Sequence, residues 1–101
     1  MNKFYSLLGL CKKAGKLVGG EELVENTVRQ KKACLLILAV DVSNNTKKKF
    51  SNASAFHEVP LVEVGTKADL GRAVGAEVRA VIAITESGFA KKLQELSEDF
   101  S

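Results

Sequence analysis

The sequence of 101 residues predicts an α/β fold. We expect a three-layer α/β/α sandwich in a single domain over residues 1–101. Two segments, residues 33–40 and 80–84, are continuously apolar, as expected for strands that helices cover on both faces. Helical and strand patterns alternate along the chain, which is typical of such layered folds. The length allows one hydrophobic core and excludes a modular architecture.

The first helix is predicted over residues 2–14, with Gly15 as its C-terminal cap. Its apolar stripe at helical spacing is Phe4, Leu7, Leu8, Cys11 and Ala14. Residues 17–18 then form a short extended segment. The double glycine Gly19-Gly20 separates it from a second helix.

The second helix has acidic residues in its first turn and basic residues in its last, which complements the helix dipole. Its acidic residues are Glu21 and Glu22, its basic ones are Arg29, Lys31 and Lys32, and its apolar stripe is Leu23, Val24, Thr27 and Val28. The strand over residues 33–40 follows directly.

Residues 41–45 form a turn and cap cluster before a third helix. That helix is expected to carry Lys47, Lys48 and Lys49 outward and Phe50, Ala53 and Phe56 inward. A four-residue strand over 61–64 comes next.

The sequence TKAD at residues 66–69 matches a capping box and opens a short helix that Gly75 closes. Residues 76–79 are predicted to be a loop, 80–84 a strand, and Ser87 the cap of a last helix. The tail over residues 98–101 is expected to fray.

The net charge of +3 is distributed unevenly. Residues 1–50 hold ten Lys or Arg against four Asp or Glu, whereas residues 51–101 hold five against eight. The first half is therefore expected to form a basic face. Nucleic acid is compatible with such a face, although charge alone does not assign it.

Cysteine spacing and the apolar runs exclude several classes of function. Cys11 and Cys34 have no paired or metal-ligand spacing, so no metal site is expected and both are interpreted as buried, reduced thiols. The longest apolar run is far shorter than the roughly 20 residues of a membrane helix. We expect a cytoplasmic protein without a membrane partner.

A catalytic constellation is not found in the sequence. His57 is the only histidine, and a position near a helix end favours a surface role over general-base chemistry. Gly15-Lys16 lacks the earlier glycine and the following Ser or Thr of a phosphate-binding loop. We expect no catalytic residue, no cofactor and no small-molecule substrate.

Several motifs occur in an order that resembles the ribosomal protein L7Ae family of RNA-binding domains. They are KAGKL at 13–17, Gly20, the strand before Asp41, TKADLGRAVG at 66–75 and the apolar strand at 81–84. The runs at 19–21, 41–46 and 87–90 are similar to the family's bacterial YlxQ-like branch. The resemblance implies an L7Ae-like fold, a three-layer α/β/α sandwich with a central mixed sheet of about four strands.

The resemblance also implies a function, the recognition of structured RNA. Better-known members bind kink-turns, sharply bent RNA motifs built on tandem sheared G·A pairs, through the glycine-rich entry to the second helix and the loop before the last strand. Carried over by position, the RNA-binding residues are Lys13, Lys16, Gly19, Gly20, Glu21, Glu22, Asn26, Ala76, Glu77, Val78 and Arg79. The implied partners are structured RNA, such as ribosomal RNA, and the other proteins of a ribonucleoprotein. The chain itself is expected to be a monomer.

Three positions depart from the kink-turn motif. Glu22 stands where the family has Asn, Leu23 where it has Glu, and Asn26 where it has Lys. An ionised Glu can only accept hydrogen bonds, and each lost base contact costs about 1–3 kcal/mol by analogy with DNA readout. The alternative is a protein-interaction module on the same fold that has lost base-specific RNA recognition.

Overall fold

The computed structural model describes residues 2–100 as five helices and four strands. The helices are α1 (Lys3–Lys13), α2 (Glu21–Arg29), α3 (Asn44–His57), α4 (Lys67–Ala73) and α5 (Ser87–Glu98). The strands are β1 (Leu17–Gly19), β2 (Leu35–Leu38), β3 (Leu61–Glu63) and β4 (Val81–Ile84).

The four strands form one mixed sheet in the order β1-β4-β2-β3. Strand β4 runs antiparallel to both of its neighbours, whereas β2 and β3 are parallel. This confirms the predicted α/β fold with a central mixed sheet of four strands.

Helices cover both faces of the sheet, which gives the three predicted layers. On one face, α1, α4 and α5 bury Phe4, Leu70 and Leu93 against alternate strand residues such as Ile37 and Ile82. On the other face, α2 and α3 bury Val24, Val28 and Phe50 against Leu36, Leu38, Val81 and Ala83. Every residue of β2 and β4 is therefore buried, which is why their sequences have no polar face.

Polar side chains begin most of the helices. The Thr66 hydroxyl accepts a hydrogen bond from the Asp69 amide at 3.1 Å, as the capping-box pattern predicts. The prediction for α5 was wrong by one residue, because the carboxylate of Glu86 accepts from the Phe89 amide at 2.6 Å. Ser87 is instead the first residue of the helix.

Several predicted boundaries and faces differ from the structure. Helix α2 ends at Arg29, because Lys31 adopts a left-handed conformation with φ of 60° that no α-helix continues. The strands are shorter than their apolar runs, since only residues 35–38, 61–63 and 81–84 lie in the ladder. Leu23 and Phe56 were predicted to face the core but are 58% and 83% exposed, and Ala14, predicted on the stripe of the first helix, is exposed just after α1 ends.

The C-terminal segment folds back on the first helix. The Phe100 ring lies edge-on to Phe4, with ring centroids 5.7 Å apart, and to Tyr5 at 5.5 Å. A frayed tail was expected over residues 98–101, but Phe100 packs in this way, and Ser101 lies outside the described residues.

The two cysteines have different environments. Cys11 is completely buried in the core, whereas Cys34 is half-buried, and neither forms a disulfide. Burial, followed by the charge of Glu86, raises the pKa of the Cys11 thiol to about 11. The thiolate is the reactive form of cysteine, so the Cys11 side chain is both protonated and shielded at neutral pH.

We expect only Cys34 to react rapidly with an aromatic disulfide reagent at pH 8. Counting the released thiolate spectroscopically should give one fast equivalent per chain, with a second appearing in denaturant. Cys34→Ser should remove the fast phase, and Cys11→Ser should leave it unchanged. Rapid modification of Cys11 in the folded protein at pH 8 would contradict the burial described here.

None of the helices within residues 2–100 has the length and apolar character that a bilayer span requires. Over the same residues, no three His, Cys, Asp or Glu side chains lie close enough together to hold a metal ion.

Candidate nucleic-acid interface

Four connections meet at one end of the sheet, which we call the Gly20 edge. It comprises Gly20 after β1, residues 39–43 after β2, residues 64–66 after β3 and residues 76–80 before β4. Because β4 is antiparallel to β1 and β2, the loop that enters β4 lies where they end. The Gly20 amide donates to the Val81 carbonyl at 3.2 Å, and the Ala39 amide to the Ala80 carbonyl at 2.9 Å.

Gly20 is the N-cap residue of α2. Its backbone conformation, with φ of 98° and ψ of 147°, is one that only glycine adopts readily. Within residues 2–100, no side chain caps the amides of the first turn. The space beside Gly20 is open, since an added Cβ would meet no atom of the described part of the chain within 4 Å. The helix N-terminus is therefore accessible to an anion at a position where amides and the helix dipole both favour one.

The Arg79 side chain lies directly across Gly19. A Cβ at position 19 would come within 2.5 Å of the Arg79 Nε atom and 2.8 Å of its Cδ atom. Arg79 is also held by a hydrogen bond of 3.1 Å from its Nη1 atom to the Val78 carbonyl. The absence of a side chain at Gly19 thus places the guanidinium beside the beginning of α2.

Helix α4 holds the loop of residues 76–80 in place. A Cβ on the buried Gly71 would come within 2.7 Å of the Glu77 carbonyl oxygen and of the Val78 Cα atom. The Arg79 amide donates to the Lys67 carbonyl at 3.0 Å, and the Lys67 amide donates to Asp41 Oδ1 at 2.8 Å. The connections after β2, before α4 and before β4 are therefore linked to one another.

Ion pairs within the fold neutralise part of the basic run on α3. Lys49 Nζ lies 2.7 Å from a carboxylate oxygen of Glu25 and 3.8 Å from one of Glu21. The hydrogen bond to Glu25 raises the pKa of Lys49. Lys47 lies 3.4 Å from Glu63. The lysines face outward as predicted, but two of the three have acidic partners.

Glu22 and Asn26 lie one turn apart on α2, so they share a face of the helix. The Asn26 Oδ1 atom accepts a hydrogen bond from Arg29 Nη2. Glu22 is exposed and forms no ion pair with any other residue of the range 2–100. The side of α2 near Gly20 therefore presents a carboxylate and an amide in place of a cation.

The structure does not bring Lys13 and Lys16 to the Gly20 edge. The Lys16 carbonyl accepts from the Thr85 amide at 2.9 Å, which places it at the far end of β4. Gly20 is four residues further along an extended chain than Lys16, a distance of about 13 Å. The other nine residues carried over by resemblance lie together: Gly19 ends β1, Gly20 and residues 76–79 belong to the Gly20 edge, and Glu21, Glu22 and Asn26 lie on α2.

Sequence patterns missed three residues that lie at or beside this edge, Leu23, Val40 and Lys67, whereas Val78 was among the residues carried over by resemblance. Leu23, Val40 and Val78 are 58%, 56% and 53% exposed, although each is apolar. Lys67 is partly exposed where α4 begins. Leu23 and Val40 were assigned to a core stripe and a buried strand, and no local pattern could have revealed that they lie at an exposed edge.

His57 lies away from this edge, in the last turn of α3. Its ring packs edge-on against Phe56 with centroids 4.9 Å apart. This agrees with the surface position expected from the sequence.

Known proteins resemble this chain over nearly its whole length. It is 43% identical over 94 residues to a protein of Bacillus subtilis (strain 168) named RNA-binding protein YlxQ, covering 93% of this chain and 94% of that protein. A protein of the same name from Enterococcus faecium is 43% identical over 96 residues, covering 95% and 92% of the two chains.

Two solved structures share the fold. A Bacillus halodurans protein of unknown function superposes with a TM-score of 0.94 at 38% identity, covering 97% of this chain and 99% of that one. The 15.5kD RNA binding protein of Giardia lamblia superposes with a TM-score of 0.76 at 22% identity, covering 95% and 82%, and this likeness concerns the fold alone. With a family model that matches residues 2–94, the chain belongs to the ribosomal protein L7Ae/L30e/S12e/Gadd45 family.

Proposed function

We propose that this chain is a non-enzymatic cytoplasmic protein that binds structured RNA through the Gly20 edge. The observation that carries the proposal is the convergence of the accessible N-terminus of α2, the Arg79 guanidinium and exposed apolar side chains at one end of the sheet. The names of the two relatives at 43% identity support RNA as the ligand.

The Gly20 edge has two kinds of groups, which suit different parts of an RNA. The amides that follow Gly20 and the side chains of Arg79 and Lys67 suit phosphate oxygens, which position an RNA without reading its sequence. Val78 and Leu23 suit the faces of bases that are splayed out of a stack. A bent or bulged RNA offers both groups together, whereas a regular duplex keeps its bases stacked.

The more specific form of this proposal is that the bound RNA is a kink-turn-like element, in ribosomal RNA or in the RNA of another ribonucleoprotein. The backbone contribution of Gly20 is preserved, but Glu22 and Asn26 change which base atoms can be contacted. Glu22 can accept from a base amino or imino group, and Asn26 can donate and accept. We infer that one protein chain binds a bend of this type. Its base preference differs from that of family members that carry Asn, Glu and Lys at positions 22, 23 and 26.

Fluorescence titration with two RNAs tests this function. One is a kink-turn RNA, and the other has its G·A pairs converted to Watson–Crick pairs. We expect the kink-turn to bind at least tenfold more tightly at about 150 mM salt. Arg79→Gln should weaken kink-turn binding about tenfold, because a hydrogen bond from a charged side chain to a phosphate contributes roughly 1.5–3 kcal/mol to the free energy of binding.

Arg72→Gln is the matched control. Arg72 is exposed on α4 and pairs with Asp69 at 3.1 Å, in the groove between α1 and α4. It should leave both affinities unchanged. Equal, weak and strongly salt-dependent binding of both RNAs would refute bend recognition. No RNA binding at all, with a protein partner retained in high salt, would favour the protein-interaction module.

A further inference from the structure

The end of the sheet opposite the Gly20 edge carries a second basic surface, which we call the Lys16 edge. Its members are exposed lysines that the chain delivers from two connections: Lys12, Lys13, Lys16, Lys31 and Lys32. The first three surround the turn between α1 and β1, and the other two lie between α2 and β2.

Backbone hydrogen bonds place the two connections close together. The Thr85 amide at the end of β4 donates to the Lys16 carbonyl at 2.9 Å, and the Cys34 amide donates to the Ile84 carbonyl at 2.7 Å. Lys16 and Cys34 therefore flank the same end of β4, about 10 Å apart across two strand spacings. Lys31 and Lys32 directly precede Cys34, so lysines from both connections border one end of the sheet.

These lysines are unpaired, unlike the cations of α3. Across residues 2–100, none of the five forms an ion pair or a side-chain hydrogen bond. Among the side chains of residues 2–100, two carboxylates border this end. Glu86 is half-buried and caps α5, and Glu58 borders the groove that Lys31 also lines. Five cations therefore outnumber two anions, of which one already accepts a backbone hydrogen bond.

Helix stabilisation accounts for only part of this surface. Lys12 and Lys13 lie in the last turn of α1, where cations interact favourably with the helix dipole. Lys16, Lys31 and Lys32 lie beyond the ends of α1 and α2. Since their charges are neither within the last helical turns nor paired, they remain free to interact with an anionic partner.

We propose that the Lys16 edge is a second RNA contact surface, which binds the phosphate backbone without base specificity. The inference rests on the proposed function for the choice of RNA as the polyanion. An RNA bend held at the Gly20 edge would raise the local concentration of a flanking stem, and the Cα atoms extend only 33 Å along the longest axis. The phosphates at the Lys16 edge come from such a stem or from a second RNA molecule.

The test compares two double variants with the same change in charge. Lys16→Gln/Lys32→Gln removes two charges from the Lys16 edge. Lys3→Gln/Lys92→Gln removes two exposed charges from the groove between α1 and α5. All four sites are exposed, so both variants should keep the unfolding midpoint of the unchanged protein, which is checked first.

Affinity is measured at several salt concentrations for three RNAs: a minimal kink-turn RNA, the same RNA with one stem extended by about 20 base pairs, and a separate 20-base-pair duplex. Two lost phosphate contacts lower the slope of log affinity against log salt by about 1.4–1.8. We expect this decrease for Lys16→Gln/Lys32→Gln on the extended RNA if the stem supplies the phosphates. A decrease on the separate duplex as well would identify a second molecule as an additional source. The Lys3→Gln/Lys92→Gln variant should match the unchanged protein throughout.

Identical slopes for the two double variants on the extended RNA and on the duplex would overturn the second surface. Binding to vesicles of phosphatidylserine is measured as well. If Lys16→Gln/Lys32→Gln weakened binding to the vesicles while its RNA binding stayed unchanged, the second RNA surface would also be overturned. Failure of the proposed function has a different signature. The unchanged protein would then show no preference for the minimal kink-turn RNA, while a lysine-dependent slope on the duplex would still support the Lys16 edge.

Discussion

Phe50→Ala is expected to lower the free energy of unfolding by about 3–5 kcal/mol, the range seen when a large aromatic core side chain is truncated. Phe50 has no exposed surface and packs with Val24 and Val28 of α2 against Leu36 and Leu38 of the sheet. The substitution removes the ring and leaves a cavity between three elements that cannot collapse independently. Urea denaturation followed by circular dichroism measures the change.

Phe56→Ala provides the matched control on the same helix. Phe56 is 83% exposed, so its truncation should change the free energy of unfolding by less than about 0.5 kcal/mol. Similar losses for the two variants would mean that α3 faces the sheet differently from the orientation described here.

Gly71→Ala is expected to displace the loop of residues 76–80 and to lower the free energy of unfolding by about 1–3 kcal/mol, as overpacking does. The new methyl group would lie 2.7 Å from backbone atoms of Glu77 and Val78, and backbone cannot move aside as a flexible side chain can. Because the same loop carries Val78 and Arg79, RNA affinity should fall even at temperatures where the variant is fully folded. Urea denaturation and the kink-turn titration measure the two effects.

Gly88→Ala controls for the general effect of replacing a helical glycine. The three atoms nearest to its Cβ would all belong to the Glu86 carboxylate, a side-chain group, with both oxygens at 3.1 Å. Alanine is the better helix former by about 1 kcal/mol, so this variant should be unchanged or slightly more stable, with RNA affinity preserved. A Gly71→Ala protein with normal stability and normal affinity would contradict the close packing of α4 on the loop.

Local patterns predicted most of the elements because the physical causes are local. The two continuous apolar runs identified β2 and β4, since a strand covered on both faces has no polar side. The hydroxyl of Thr66 and the glycine at position 75 identified the ends of α4, because capping depends on neighbours within a single turn.

Faces of helices were harder to predict. Phe56 is six residues from Phe50, which at 100° per residue places it about 120° around α3 from the buried stripe. Leu23 is about 100° from Val24 in the same way. Both were assigned to the core because they are apolar, but the curvature and width of the packing surface decide which apolar residues it covers.

The charge pattern was predictable only as a total. The excess of cations in the first half is a property of the sequence, but its division between paired lysines, such as Lys49 with Glu25, and the unpaired lysines of the Lys16 edge depends on three-dimensional contacts. Ion pairs between helices join residues more than 20 positions apart, and no spacing rule reveals them.

The sequence by itself determined the α/β class, the two fully buried strands, the short capped helices and the resemblance that made RNA the expected ligand. Only the tertiary structure decided which of the expected RNA-binding residues meet. Strand direction is the physical reason. The antiparallel pairing of β4 with β1 and β2 brings residues 76–80 beside Gly20 and leaves Lys16 at the opposite end of the sheet, and such pairing follows from contacts between distant segments.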